Sequence, residues 1–149
     1  MADSQRTSDL TDWKPMTSDK AFFDTNVLLY LLSEDTVKAD RAESVIVQGG
    51  IISAQVLNEF AFVARRKMAM SLPEVREVLA PLYRLCEVTS VTLDTHIQGI
   101  QIAERYQYNI WDAMIVASAL MAHCVTLYTE DMHHGQILEG RLHIVNPFL

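Results

Sequence analysis

From residue 21 onward, short apolar runs alternate with longer stretches whose apolar positions recur with helical spacing. Ala21-Phe22-Phe23 reads as a buried strand that ends at Asp24, after which Thr25 or Asn26 caps a helix through Val27, Leu28 and Leu29. Asp35 or Thr36 caps a second helix to about Gln48, which Gly49-Gly50 stops. Gly50-Ile51-Ile52 is a short strand, and Ser53 caps a helix from Ala54 to about Met68. On that helix Val56, Leu57, Phe60, Ala61, Val63 and Ala64 form one apolar arc, with Glu59 at its edge and Phe62 outside it. Ser71-Leu72-Pro73-Glu74 fits a capping box opening a helix that Pro81 is expected to kink or divide. A strand is expected over Glu87–Leu93 and a helix over Thr95–Tyr106, weakened by about 1 kcal/mol at Gly99. Asn109 caps Ile110 to about His123, a helix apolar on every side whose only charge before His123 is Asp112. Cys124–Thr129 is a strand delivering Glu130-Asp131, and Leu142–Val145 is the last strand.

Strands alternating with helices predict an α/β domain with a mostly parallel central sheet and helices on both faces. That domain covers residues 21–149, one unit for a chain of 149 residues. Residues 1–20 are polar and aperiodic, carry Trp13 and Pro15 as bulky features, and are expected to form a disordered or loosely attached arm. Met16 is an alternative start. No apolar run approaches the roughly 20 residues of a membrane span, and the N-terminus lacks a signal pattern. Cys86 and Cys124 are read as reduced thiols of a cytoplasmic protein. The net charge of −7 argues against broad electrostatic attraction to nucleic acid and suits a basic partner protein.

The chemistry concentrates in four carboxylates. Asp24 follows the first strand, Glu59 lies on the helix after the second, Asp112 opens the apolar helix, and Asp131 follows a later strand. In a parallel sheet these places face the carboxyl edge, where ligands bind, so the four can converge. Clustered carboxylates raise one another's pKa unless a cation shares them, and an all-oxygen set favours Mg²⁺ or Mn²⁺ over zinc. One or two such ions activate water and stabilise in-line displacement at a phosphodiester. Taken singly, each acid has a plainer reading: turn former for Asp24 and Asp131, helix-dipole partner for Asp112, solvated flank for Glu59. Their joint placement at the ends of apolar segments favours the site.

Four blocks carry a family resemblance: Phe23-Asp24-Thr25-Asn26-Val27-Leu28, Ser53 to Phe60, Ile110 to Ala119, and Tyr128-Thr129-Glu130-Asp131-Met132. In order and spacing they resemble the signature blocks of PIN-domain ribonucleases, and VapC-type toxins of bacterial toxin–antitoxin pairs above all. The terminal Asn146-Pro147-Phe148 resembles the ending of those toxins. The resemblance implies a PIN-like three-layer fold and a metal-dependent endoribonuclease. It also implies that Asp24, Glu59, Asp112 and Asp131 hold Mg²⁺ or Mn²⁺, with Asn26 and Thr129 supporting the metal shell. Transfer or ribosomal RNA as substrate, a homodimer and a VapB-type antitoxin are the partners it implies.

Arg65-Arg66-Lys67 is read either as a phosphate grip near Glu59, with Arg66 on the right face, or as cations complementing a helix C-terminus. Phe62 suggests a partner or dimer surface, and His133-His134 a solvated loop. Two other classes compete. A haloacid-dehalogenase-like phosphatase needs an acid two residues after its nucleophile, where Asn26 stands, and a lysine that the chain lacks after Lys67. A receiver-like or other non-catalytic interaction domain is the second, and the receiver version lacks the same lysine.

Overall fold

Burial decides where the first strand begins and ends. Phe22 and Phe23 are wholly inaccessible to solvent in the computed structural model, which describes residues 20–149, and with Ala21 they form β1 (Ala21–Phe23). Withdrawing two such rings from water is worth roughly 1.5–3 kcal/mol each. The remaining strands are β2 (Gly50–Ser53), β3 (Cys86–Thr89), β4 (Thr126–Tyr128), β5 (Ile137–Leu138) and β6 (Leu142–Val145). The helices are α1 (Thr25–Leu29), α2 (Thr36–Ile46), α3 (Ala54–Met68), α4 (Leu72–Leu85), α5 (Leu93–Tyr106) and α6 (Ile110–Met121), with a 3₁₀ turn at Tyr30–Leu32. The arm expected over residues 1–20, and the start at Met16, lie outside the described residues except for Lys20. Its carbonyl accepts from Val125 N at 2.9 Å.

The sheet runs β3-β2-β1-β4-β6-β5 and is parallel throughout except for β5, which pairs antiparallel with β6 at the edge. Phe22 stands level with Ile51 on one side and Leu127 on the other. The expected three-layer α/β architecture is therefore the observed one. Its strand order reverses at β1: the chain builds outward through β2 and β3, then returns to β1's other flank with β4. The crevice beyond the carboxyl ends of β1 and β4 is the switch point at which open α/β sheets place ligands.

Several boundaries differ from the sequence reading. Asp24, rather than Thr25 or Asn26, caps α1, because the hydroxyl and amide of its two neighbours are engaged by side chains distant in sequence. Helix α4 runs through Pro81 undivided: Pro81 is on the exposed face, while Val75, Leu79 and Leu82 are buried and hold the helix down. Strand β3 stops at Thr89, since β2 offers only Gly50–Ser53 as partners, and Thr92 caps a helix that starts two residues earlier than expected. Helix α2 stops at Ile46 and α6 at Met121, each a little short of expectation, and β4 is confined to Thr126–Tyr128.

Two glycines are fixed by contact. A Cβ on Gly50 would meet the Ala21 carbonyl oxygen at 2.7 Å and the Phe23 ring at 2.6 Å, so β1 and β2 can pair only with glycine there. Gly99 is buried with the Met114 sulfur 2.6 Å from where a Cβ would stand, which lets α5 lie close against α6. Its helix-weakening is offset by that approach. Burial raises the thiols of Cys86 to about 11 and Cys124 to about 12, leaving both inert at neutral pH. Among the described residues no helix is long and apolar enough to cross a membrane.

Candidate active site

Each candidate side chain is set by the element that ends or begins beside it. Asp24 leaves β1 and caps α1, accepting a hydrogen bond from Thr25 N at 2.7 Å. The Thr129 hydroxyl, arriving from the end of β4, donates to its other oxygen at 2.9 Å, and the Asn26 amide approaches at 3.4 Å. Only 5% of Asp24 is exposed. Burial, with the charges of Asp112 and Asp131, lifts its carboxyl from the usual 3.8 to about 7, although the bonds from Thr129 and Thr25 oppose that rise.

Asn26 ties the two sides of the switch point. Its amide nitrogen donates to Asp131 at 3.0 Å, while its carbonyl oxygen accepts from Glu130 N at 3.1 Å. Thr129 completes the link by accepting from Asp131 N at 3.1 Å. Glu59 is half-buried on α3 and accepts from the Thr25 hydroxyl at 2.8 Å. Asp112 lies in the first turn of α6, held by Asn109, whose oxygen accepts from Asp112 N at 2.8 Å and whose amide donates to the carboxylate at 3.1 Å. Burial holds the Asp112 carboxyl above its ordinary range; the bond from Asn109 works against that, and the charges of Asp131 and Glu59 add to it.

The structure thus brings Asp24, Glu59, Asp112 and Asp131 to one cavity of about 960 Å³, with Asn26 on its wall and Thr129 directly behind Asp24. Their recorded side-chain partners are hydroxyl and amide groups, and the two ion pairs among the described residues, Lys38–Glu130 and Arg105–Glu139, involve none of the four. No three acidic, histidine or cysteine side chains among the described residues stand close enough to hold an ion as they are placed. The donor set nonetheless fits a hard divalent cation in kind. It is all oxygen, it is unpaired with any cation among the described residues, and burial, with smaller contributions from the charges of Asp112 and Asp131, drives Asp24 toward protonation.

Arg65 and Arg66 are exposed in the last turn of α3 and do not line the cavity, but the Arg66 guanidinium lies 5.4 Å from the ring centre of Phe62, which does. His133 and His134 are exposed beyond Asp131, as expected of a loop.

Sequence reasoning missed a brace behind the site. The Tyr30 hydroxyl lies 2.7 and 2.8 Å from the two Glu130 oxygens, and Lys38 stands 3.6 Å from the same carboxylate. The ring of Phe148 packs 4.4 Å from that of Tyr30, and Arg41 donates to the Pro147 carbonyl at 2.9 Å. The tail is therefore linked to the turn that carries Asp131. Only the Asn146-Pro147-Phe148 ending hinted at it. Asn109 was noticed as a cap, without its second bond to the Asp112 carboxylate.

Fold and site together define a class: a parallel α/β domain with four carboxylates lining the cavity at the switch point of its sheet. The chain belongs to the PIN domain family, whose sequence profile matches residues 21–137. No curated protein is matched by sequence. Among solved structures it is similar to a toxin–antitoxin complex from Klebsiella pneumoniae, with 22% identity and a TM-score of 0.65 over 86% of this chain and 98% of that one. VapC20 of Mycobacterium tuberculosis, described as a sarcin–ricin loop cleaving toxin, has 19% identity and a TM-score of 0.65 over 82% and 99%. FitAcB from Neisseria gonorrhoeae has 18% identity and a TM-score of 0.63 over 86% and 98%. At these identities the likeness establishes the shared fold.

Proposed function

We propose that this PIN domain is a metal-dependent endoribonuclease, the toxin of a toxin–antitoxin pair, acting in the cytoplasm on a transfer or ribosomal RNA. The observation that carries the reading is the convergence of four carboxylates from separate elements on one cavity, with none of the four in an ion pair among the described residues. The structural relatives support it: one is described as a toxin that cleaves the sarcin–ricin loop, another as a toxin–antitoxin complex, and a third as VapBC2 of Rickettsia felis bound to promoter DNA. A VapB-type antitoxin and a homodimer belong to the same proposal.

In this reading Asp24, Glu59, Asp112 and Asp131 hold one or two Mg²⁺ or Mn²⁺ ions, which supply activation of water and charge neutralisation at the phosphodiester. Asp24 is the deepest carboxylate, and Thr129 and the Thr25 amide fix its two oxygens in direction. Asn26 keeps Asp131 turned toward Asp24. Thr25 orients Glu59, and Asn109 orients Asp112. Such bonds hold ligand carboxylates in place before substrate arrives. No protein general base is invoked.

The test compares wild type with Asp112→Asn on total cellular RNA in Mg²⁺, Mn²⁺ or EDTA, mapping new 5′ ends. Discrete cuts requiring both metal and Asp112 are expected. RNA left intact by the wild type in every metal, or cut equally by the variant, would overturn the assignment. Expression of the wild type without its antitoxin should also arrest growth, and Asp24→Ala should relieve the arrest.

A further inference from the structure

The face that α3 turns to the cavity holds a residue that folding leaves unexplained. Of the chain's five phenylalanines, Phe22, Phe23 and Phe60 are fully buried and Phe148 is partly buried, whereas Phe62 is 61% exposed. A single exposed ring is common and proves nothing. Phe62, however, lines the same cavity as the carboxylates and carries the Arg66 guanidinium over its ring.

At about 100° per residue, Gln55, Glu59, Phe62 and Arg66 fall within an arc of roughly 60° on α3. Glu59 and Phe62 are separated by about 4.5 Å of helix axis, and Phe62 and Arg66 by about 6 Å. Along this line the chemistry runs from amide to carboxylate to aromatic ring to guanidinium. Electrostatics give the line a direction. The carboxylates repel a polyanion, so its approach is easiest from the end where Arg65, Arg66 and Lys67 close the helix. A second ring, Trp111, is 65% exposed, lines the same cavity, and is tied to α3 by a bond from Gln55 to its carbonyl at 3.4 Å.

We propose that Phe62 is the stacking platform for an unpaired nucleobase of the RNA, beside the nucleotide whose phosphodiester meets Glu59, while Arg66 takes a flanking phosphate. The proposal deepens the ribonuclease reading and rests on it. The run of carboxylate, ring and guanidinium along α3 matches the phosphate and base of a nucleotide, whereas a docked protein helix would engage the apolar part of the cavity at Leu29, Val63 and Ile115. A paired base hides both faces in its stack, so the platform selects single-stranded or looped RNA.

The test is fluorescence anisotropy with a short 5′-labelled single-stranded RNA of mixed sequence in EDTA, using wild type, Phe62→Ala and Phe62→Tyr. Loss of the ring should weaken Kd about tenfold, toward the low end of what one base–aromatic stack contributes, and tyrosine should restore it. The same strand annealed into a duplex should bind the wild type more weakly and be indifferent to Phe62→Ala. Equal Kd for all three proteins would overturn the proposal. So would a Phe62→Ala effect that sedimentation traces to a change in oligomeric state, since the ring would then belong to a contact between copies. Binding in EDTA needs no cleavage, so an inactive wild type that still shows the Phe62 dependence would refute the nuclease reading and leave the base platform standing.

Discussion

Replacing Asp24 by asparagine tests whether this carboxylate is held at a cost that a cation must relieve. Its carboxyl titrates near 7 in the folded protein and near 3.8 when unfolded. Between those values the native state binds more protons than the unfolded state, so stability falls as pH rises and stays low above about 7. At about 1.4 kcal/mol for each pH unit, the charged form costs about 4 kcal/mol. Asparagine removes the charge and can still accept from Thr25 N. Its amide nitrogen, however, would stand where Asp24 accepts from the Thr129 hydroxyl at 2.9 Å and from the Asn26 amide at 3.4 Å, a conflict costing about 1–2 kcal/mol. Asp24→Asn should therefore stabilise the metal-free protein by about 2 kcal/mol at pH 8, a rise of about 4–8 °C in Tm. Below about pH 5, where Asp24 is protonated in the native state, the variant should be slightly less stable than wild type. Thermal or urea unfolding in EDTA across that range measures the difference directly. A wild-type-to-variant gap that stays constant from about pH 5 to 8 would refute the argument. Added Mg²⁺ at the upper pH should narrow the gap by stabilising the wild type alone.

Other changes probe the remaining contacts. Tyr30→Phe removes one hydroxyl from the brace on Glu130, and should cost about 1 kcal/mol in stability and about tenfold in cleavage rate; an unchanged rate would show that Asp131 does not depend on the brace. Asp131→Asn should abolish the rise in Tm produced by Mg²⁺ while leaving the metal-free Tm within a few degrees of wild type, as calorimetry can show. Gly50→Ala should lower stability by about 1–3 kcal/mol in urea unfolding, because the new Cβ meets backbone at Ala21 as well as the Phe23 ring.

The fold and the four acids were legible for one physical reason. Asp24, Asp112 and Asp131 each end or open an apolar segment, and Glu59 stands at the edge of an apolar helical arc, so all four fall where buried and open surfaces meet. Asp112 is the clearest case: the next eight residues of α6, Ala113 to Leu120, are all buried, so a charge in the first turn must face an opening. What stayed hidden depends on partners distant in sequence. Thr25 and Asn26 are as good helix caps as Asp24, and local chemistry cannot choose among them. The choice is made by Glu59, which takes the Thr25 hydroxyl, and by Asp131 and the Glu130 amide, which take the two ends of Asn26. The residues after Thr89 could likewise have continued a strand, and β2 is too short to pair with them.

That division bears on how the site is built. Between Asp24 and Asn26 the chain ends a strand, caps a helix and presents three polar side chains, which contact two distant parts of the chain: Thr25 reaches Glu59 on α3, and Asp24 and Asn26 reach the turn from Thr129 to Asp131. The bonds that join β1 to β4 at their carboxyl ends are largely the bonds that aim the carboxylates. Loss of an aiming bond should therefore loosen the switch point of the sheet, and a bound cation should tighten it. Stability and metal response ought to move together for Asn26 and Thr129, and to separate for Asp112, whose orienting partner Asn109 lies within its own helix cap. Variants at Thr129 and Asn109, compared by unfolding with and without Mg²⁺, would show whether the coupling follows the hydrogen bonds or merely the distance to the cavity.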